Sequence, residues 1–317
     1  MMLFLMMVLL SSLSVKAQTI TEIFGTGANQ FSIEFVQIGN AGNAADTTGT
    51  PNPVGRVDYV FNLGKYEISR DMVDKANSAG GLGITLQDMT TYGGGGNSRP
   101  ASGISWNEAA RFVNWLNTSK GYQAAYLFSE IGANSNLALW SPDRAAGANL
   151  FRHKNAFYFL PSLDEWYKGA YGSPDGTWYN FPTGDDIAPA GVSGGTAAAT
   201  AVFSQGLPNG PADITNAGGL SQFGTVGQGG NVWEWNESAF DGANDSATES
   251  RELRGGAWYD SNDDALEAIG RYGFDPSLEG AASGFRVAMV PEPSSLSLLL
   301  AGGAVLMAGR RRSLTRF

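Results

Sequence analysis

The chain has 317 residues, 43% of them hydrophobic and only 16% charged, which is enough apolar content for a sizeable core and too little charge for a disordered chain. Its net charge of −10 argues against a nucleic-acid partner. Cysteine is absent and His153 is the sole histidine, which excludes disulfides, thiolate metal sites, cysteine nucleophiles, His-rich zinc sites and the two-histidine, one-carboxylate iron triad.

In chain order, Met1 to Leu10 is an apolar run, followed by small residues and Val15-Lys16-Ala17-Gln18. This is the pattern of a secretory signal peptide over residues 1–17, cut after Ala17, and it predicts export. A buried strand or a short anchor is the other reading of the same run. From Phe31 to Ile38, apolar Phe31, Ile33 and Phe35 alternate with Ser32 and Glu34, the period of a half-buried strand. A Gly/Asn/Thr-rich loop runs from Gly39 to Pro53. Two more short strands are expected between Arg56 and Ile68, with Tyr59, Phe61 and Leu63 on one face and a break at Gly64.

Three serines mark helix starts. Ser69 precedes a helix over 70–77, with Asp71 favourable in its first turn. Ser105 with Glu108, and Ser162 with Glu165, each form a capping box, so both glutamates are assigned to orphan N–H groups rather than to catalysis. Tyr92-Gly93-Gly94-Gly95-Gly96-Asn97 lacks the Gly-Lys-Ser/Thr ending of a phosphate loop and reads as a connection. Residues 184–211 read as a long surface loop. The stretch Gly229-Gly230-Asn231-Val232-Trp233-Glu234-Trp235 sets one carboxylate between two indoles, where a buried charge needs a cation, an arginine or backbone donors. Arg254, Arg271 and Arg286 follow, expected in structural salt bridges, and 284–290 alternates as a final strand. Asp260, Asp263 and Asp264 are three carboxylates in a short span, suited to metal binding or acid–base work, or else an acidic surface turn. A Ser-His-Asp triad on His153 lacks a nucleophile elbow, and Arg152 and Lys154 flank the histidine.

The chain ends in Pro291-Glu292-Pro293, an apolar stretch over 294–309 and then Arg310-Arg311-Arg312. As a helix that stretch spans roughly 24 Å, short of the ~30 Å hydrocarbon core, so it crosses with local thinning or with snorkelling arginines. The arginines predict a cytoplasmic tail with the main domain outside. This order of parts over residues 290–317 resembles the PEP-CTERM sorting tail. The resemblance implies transient membrane insertion and processing by an exosortase, a membrane transpeptidase that passes the protein to the cell surface or exopolysaccharide matrix. A plain tail anchor is the alternative.

Between the two ends, Gly64-Lys65-Tyr66-Glu67-Ile68-Ser69, Ile104-Ser105-Trp106-Asn107-Glu108-Ala109, Phe159-Leu160-Pro161-Ser162-Leu163-Asp164-Glu165-Trp166, Gly230-Asn231-Val232-Trp233-Glu234-Trp235, Arg254-Gly255-Gly256 and Gly284-Phe285-Arg286 occur in sequence. These motifs resemble the formylglycine-generating enzyme, or sulfatase-modifying factor, family. The resemblance implies one compact α+β domain of the C-type-lectin-like kind over residues 18–289, with much irregular backbone. Active members oxidise a sulfatase cysteine with two copper-binding cysteines that lie just after the motif matching Arg254-Gly255-Gly256. Here that region reads Trp258-Tyr259-Asp260-Ser261-Asn262-Asp263-Asp264, so a copper-thiolate site and formylglycine generation by that route are excluded. A related branch that uses a three-histidine iron is excluded by the single histidine. The family also binds calcium, which would make Glu234 a side-chain ligand with the carbonyls of Gly230 and Val232. Gly227 stands where the family supplies a further side-chain oxygen, so pairing of Glu234 with an arginine or with backbone N–H groups stays open beside calcium. The expected function is that of an exported, non-catalytic binding or structural protein at the cell surface or in extracellular polysaccharide. The rival is an enzyme with a rebuilt site at Asp260, Asp263 and Asp264.

Overall fold

The computed structural model describes residues 19–93, 95–129 and 137–291. Residues 1–17, Glu292, Pro293, the apolar stretch that follows and Arg310, Arg311 and Arg312 lie outside the described residues. The main elements are β1 (Thr19–Phe24), β2 (Phe31–Ile38), β3 (Phe61–Gly64), α1 (Arg70–Gly80), α2 (Trp106–Ser119), β4 (Tyr158–Phe159), α3 (Leu163–Tyr171), β5 (Trp233–Ala239), β6 (Arg251–Arg254), β7 (Tyr272–Phe274), β8 (Ser283–Gly284) and β9 (Ala288–Met289), with shorter strands between them. Among the described residues no helix is long and apolar enough to cross a membrane.

β2 has the expected span, and its alternation buries Phe31, Ile33 and Phe35. It pairs antiparallel with β1 and β3, and the first sheet continues through β9 to β4. The second sheet has the order β7-β6-β5-β8. The helices start at the three serines. Ser69 Oγ accepts from Met72 N–H, and both capping boxes are closed in both directions. α2 buries Trp106, Ala109, Phe112, Val113 and Leu116. Its first turn is fastened to β5 by two indoles, with Trp106 Nε1 donating to the Asn236 carbonyl and Trp235 Nε1 to that of Ile104.

Two expected strands depart from the sequence pattern. Only residues 61–64 of the 56–68 stretch are a strand, the part that pairs with β2 and β9, while the Tyr59 ring stays edge-on to Phe61 and its hydroxyl donates to Glu165 at 2.6 Å. The alternating run over 284–290 splits into two pieces. Ser283–Gly284 pairs parallel with β5 in the second sheet, and Ala288–Met289 lies between β3 and β4 in the first. The residues between them are fully buried, so the alternation reflects two sheets in succession rather than a solvent face. The loop at 184–211 contains a short parallel pair, Ala190–Gly191 with Thr200–Ala201, and sends Val202 and Phe203 into the interior.

Candidate functional site

Alternation along the second sheet sorts its side chains by face. Register pairs Glu234 with Arg254 and Leu253 with Tyr272, so Glu234, Glu252 and Arg254 share one face while Leu253, Trp233 and Tyr272 share the other. The face with Glu234, Glu252 and Arg254 is fully buried. It packs against α3, where the Arg254 guanidinium lies over the Tyr167 ring at 5.6 Å. Its acids are met by arginines: Glu252 pairs with Arg254 at 2.8 Å and Arg271 at 2.6 Å.

Glu234 is fully buried, and both its oxygens accept from Arg286, Oε2 from Nε at 2.6 Å and Oε1 from Nη2 at 2.5 Å. The Trp166 indole N–H from α3 reaches Oε2 at 2.6 Å. Arg286 also donates to the carbonyls of Gly64 at 2.9 Å and Val226 at 2.9 Å, so one guanidinium ties β3, β5 and the loop before β5 together. Of the partners the sequence left open for Glu234, the arginine is the one that meets it here. A calcium ligand at Glu234 would have to give up one of these donors.

The tight turn ahead of Glu234 is a requirement of close approach. Gly230 has φ +79°, and a Cβ there would stand 2.3 Å from the Val202 carbonyl oxygen. Its N–H donates to Gly255 at 2.7 Å. Asn231 follows at φ 62° and holds the turn with its side chain, accepting from Ala212 N–H at 2.7 Å and donating to Glu67 at 2.6 Å. Val232 N–H also meets Glu67, at 3.3 Å. Burial and then the Glu234 charge hold the Glu67 carboxyl well above the usual range, with Arg286 opposing them. Among the described residues no three His, Cys, Asp or Glu side chains converge as a metal site.

The opposite face is buried at Trp235, Leu253 and Arg251 and opens only along its β7 edge, at Tyr272 and Phe274. A cleft of about 360 Å³ is lined by Trp233, Leu253, Tyr259, Asp260, Tyr272, Phe274 and Leu278, with Gly280 to Ser283 closing one end. Trp233 and Tyr272 meet edge to face at 5.0 Å, and Tyr272 lies nearly parallel to Phe274 at 6.3 Å. Tyr259, Tyr272 and Phe274 are 50%, 54% and 41% exposed, an unusual commitment of large apolar surface to water. Among the described residues Asp260 is the sole carboxylate lining the cleft. Its Oδ2 accepts from Ala257 N–H at 2.7 Å. Burial pushes its carboxyl up, while that N–H and the Trp233 indole oppose the rise. Asp263 and Asp264 do not line the cleft. Asp263 precedes a short 3₁₀ turn over 264–266, and Asp264 is exposed and accepts from Asn262. The three acids read together in the sequence are therefore separated, and only Asp260 belongs to the opening.

Tyr272 and Phe274 were not identified from the sequence. The signal available was a Tyr-x-Phe alternation, too short to distinguish an edge strand from a loop. A cavity of about 380 Å³ between Leu82, Arg111, Trp115, Tyr126 and Trp140 is lined, among the described residues, by no carboxylate and no motif residue. A second charge cluster also escaped the sequence reading. Arg152 lies between Glu165 and Glu237, at 3.6 Å and 3.4 Å, and Glu237 accepts from Tyr126 and Asn149. Burial pushes Glu237 up to about 7, with Arg152 pulling it down and Glu165 pushing it further up. His153 beside it is buried, accepts from Asn155 N–H at 3.1 Å and packs on Trp140. Burial, then Arg144 and Lys154, lower its pKa, so it is a neutral packing residue.

A family model described as sulfatase-modifying factor enzyme 1-like domain matches residues 30–290. The chain belongs to that family. Solved structures with the same fold include Treponema denticola variable protein 1, 15% identical with a TM-score of 0.55, covering 86% of this chain and 99% of that one. CarF is similar at 17% identity and TM-score 0.55, covering 87% and 99%. PvdO from Pseudomonas aeruginosa is similar at 18% and 0.52, covering 85% and 98%. No curated protein matches. The family and these neighbours make the architecture the α+β, C-type-lectin-like fold of sulfatase-modifying factors.

Proposed function

We propose that this sulfatase-modifying-factor-like domain is a non-catalytic binding module, exported to the cell surface, that holds extracellular polysaccharide in the cleft beside Asp260. The observation that carries the reading is the exposed aromatic rim of Tyr259, Tyr272 and Phe274 around a cleft of about 360 Å³. Flat rings with a polar edge offer apolar faces to the C–H faces of sugar rings without a deep, dry pocket. The segment after Arg254-Gly255-Gly256, where active family members carry their cysteines, supplies Tyr259 and Asp260 here. A ligand surface at that place therefore keeps a position and loses a reaction. Residues 1–17 and the tail over 290–317, with Pro291, Glu292 and Pro293 as the exosortase signal, support delivery to the outside.

The rival, a rebuilt acid–base site, needs a second carboxylate facing the cleft, and Asp263 and Asp264 are turned from it. Calcium enters the reading only as a possible bridge to sugar hydroxyls and has no committed ligand set. The test is co-sedimentation of the protein with polysaccharide secreted by the producing cells. Tyr272→Ala with Phe274→Ala should abolish co-sedimentation while thermal unfolding stays within a few degrees. Equal retention of the double variant sinks the proposal.

A further inference from the structure

We propose that the cleft selects a cationic amino sugar, its protonated amine against the Asp260 carboxylate and its ring over Tyr272 and Phe274. This deepens, and rests on, the carbohydrate reading above. The first ground is charge. The interior acids Glu234, Glu237 and Glu252 are each paired with arginine. Asp260 meets no cationic side chain among the described residues, and no Lys, Arg or His lines the cleft. A half-buried carboxylate without a countercharge sits above its ordinary pKa because burial disfavours its ion, and an arriving ammonium restores that ion.

The second ground is the wall around the carboxylate. Trp233, Tyr259, Tyr272 and Phe274 line the same space as Asp260, and Tyr259, Tyr272 and Phe274 are the rings exposed there. Ring faces attract ammonium groups electrostatically, and do so more strongly when water is displaced. A neutral sugar uses only the stacking surface, and an acidic sugar is repelled by Asp260. N-acetylation of the amine removes the charge and adds bulk at the carboxylate. An amino sugar with a free amine is the carbohydrate that satisfies the rings and Asp260 together.

The test is calorimetric titration of the protein with three oligosaccharides of equal length: β-1,4-glucosamine, its N-acetylated counterpart and a neutral β-1,4-glucan. The glucosamine oligomer should bind at least tenfold more tightly than either other sugar, and Asp260→Asn should erase that preference. Because Asp260 also accepts the Ala257 N–H, Leu278→Lys provides a second variant at a side chain 44% exposed on the cleft wall. The added cation should remove glucosamine binding and leave the weaker glucan binding intact. Affinity for glucosamine should also fall as acid protonates Asp260. If all three sugars bind equally and both variants are silent, the ammonium assignment is overturned while the polysaccharide reading stands. If none of the three binds, the amino-sugar assignment is overturned, and co-sedimentation with the secreted polysaccharide decides the broader reading.

Discussion

Arg286→Met is the sharpest perturbation of the domain's interior. In the native protein the guanidinium donates twice to Glu234 and once each to the carbonyls of Gly64 and Val226 at short range, all out of water. Methionine fills much of the same volume but leaves Glu234 with only the Trp166 indole N–H. Breaking a buried pair by removing one partner costs about 3–5 kcal/mol, and orphaned carbonyls add to it. Against a typical total of about 5–15 kcal/mol, this removes a large fraction of the stability. The uncompensated carboxylate has one escape, which is to take a proton. The loss should therefore be about 4 kcal/mol at pH 7 and clearly smaller at pH 5. Urea unfolding followed by tryptophan fluorescence at both pH values measures it. Glu234→Gln added to Arg286→Met should recover part of the loss at pH 7. A loss under about 1 kcal/mol, or a double variant no better than the single at either pH, would refute the argument that Glu234 depends on Arg286.

Glu237 gives a prediction of the same pH sense in the native protein. Its folded pKa of about 7 lies above the ordinary 4.5, so the protonated form stabilises the fold below 4.5 and that contribution is lost as pH rises toward 7. The span corresponds to about 3 kcal/mol, and Glu237→Gln should flatten the stability profile across that window in urea titrations. Ser105→Ala opens a capping box and should lower stability by about 1 kcal/mol with an unchanged denaturant slope. An unaltered midpoint would mean Glu108 N–H finds another acceptor. EDTA should leave the thermal midpoint where it is, since the countercharge of Glu234 is a guanidinium; a drop of several degrees would instead point to bound calcium.

The helix starts at Ser69, Ser105 and Ser162 were legible because a cap is written within four residues of its helix. β2 was legible because one side of it meets the core and the period survives. The arginines were recognisable as structural from the scarcity of charge, yet their partners were not. Arg286 and Glu234 lie 52 residues apart, and Arg152 reaches acids contributed by α3 and β5. β1 was missed because its residue types do not follow its alternating burial: Glu22 lies on the covered side while Ile23 is 55% exposed. The cleft was half visible. Asp260 stood in the family's cysteine segment, but Asp263 and Asp264 share that span and turn elsewhere, while Tyr272 and Phe274 arrive from an edge strand that only tertiary pairing defines.

The two short pieces β8 and β9 have a consequence for the order in which the domain is made. Each sheet receives a strand from residues 283–289, and Arg286 between them locks the sheets together. A nascent chain that has reached residue 280 holds both sheets unfinished, with Glu234 still lacking its arginine. Contacts this remote in sequence delay folding until nearly the whole domain has been synthesised. A cut just after Val290 leaves every one of them in place, whereas a truncation eight residues earlier removes the closing strands of both sheets at once.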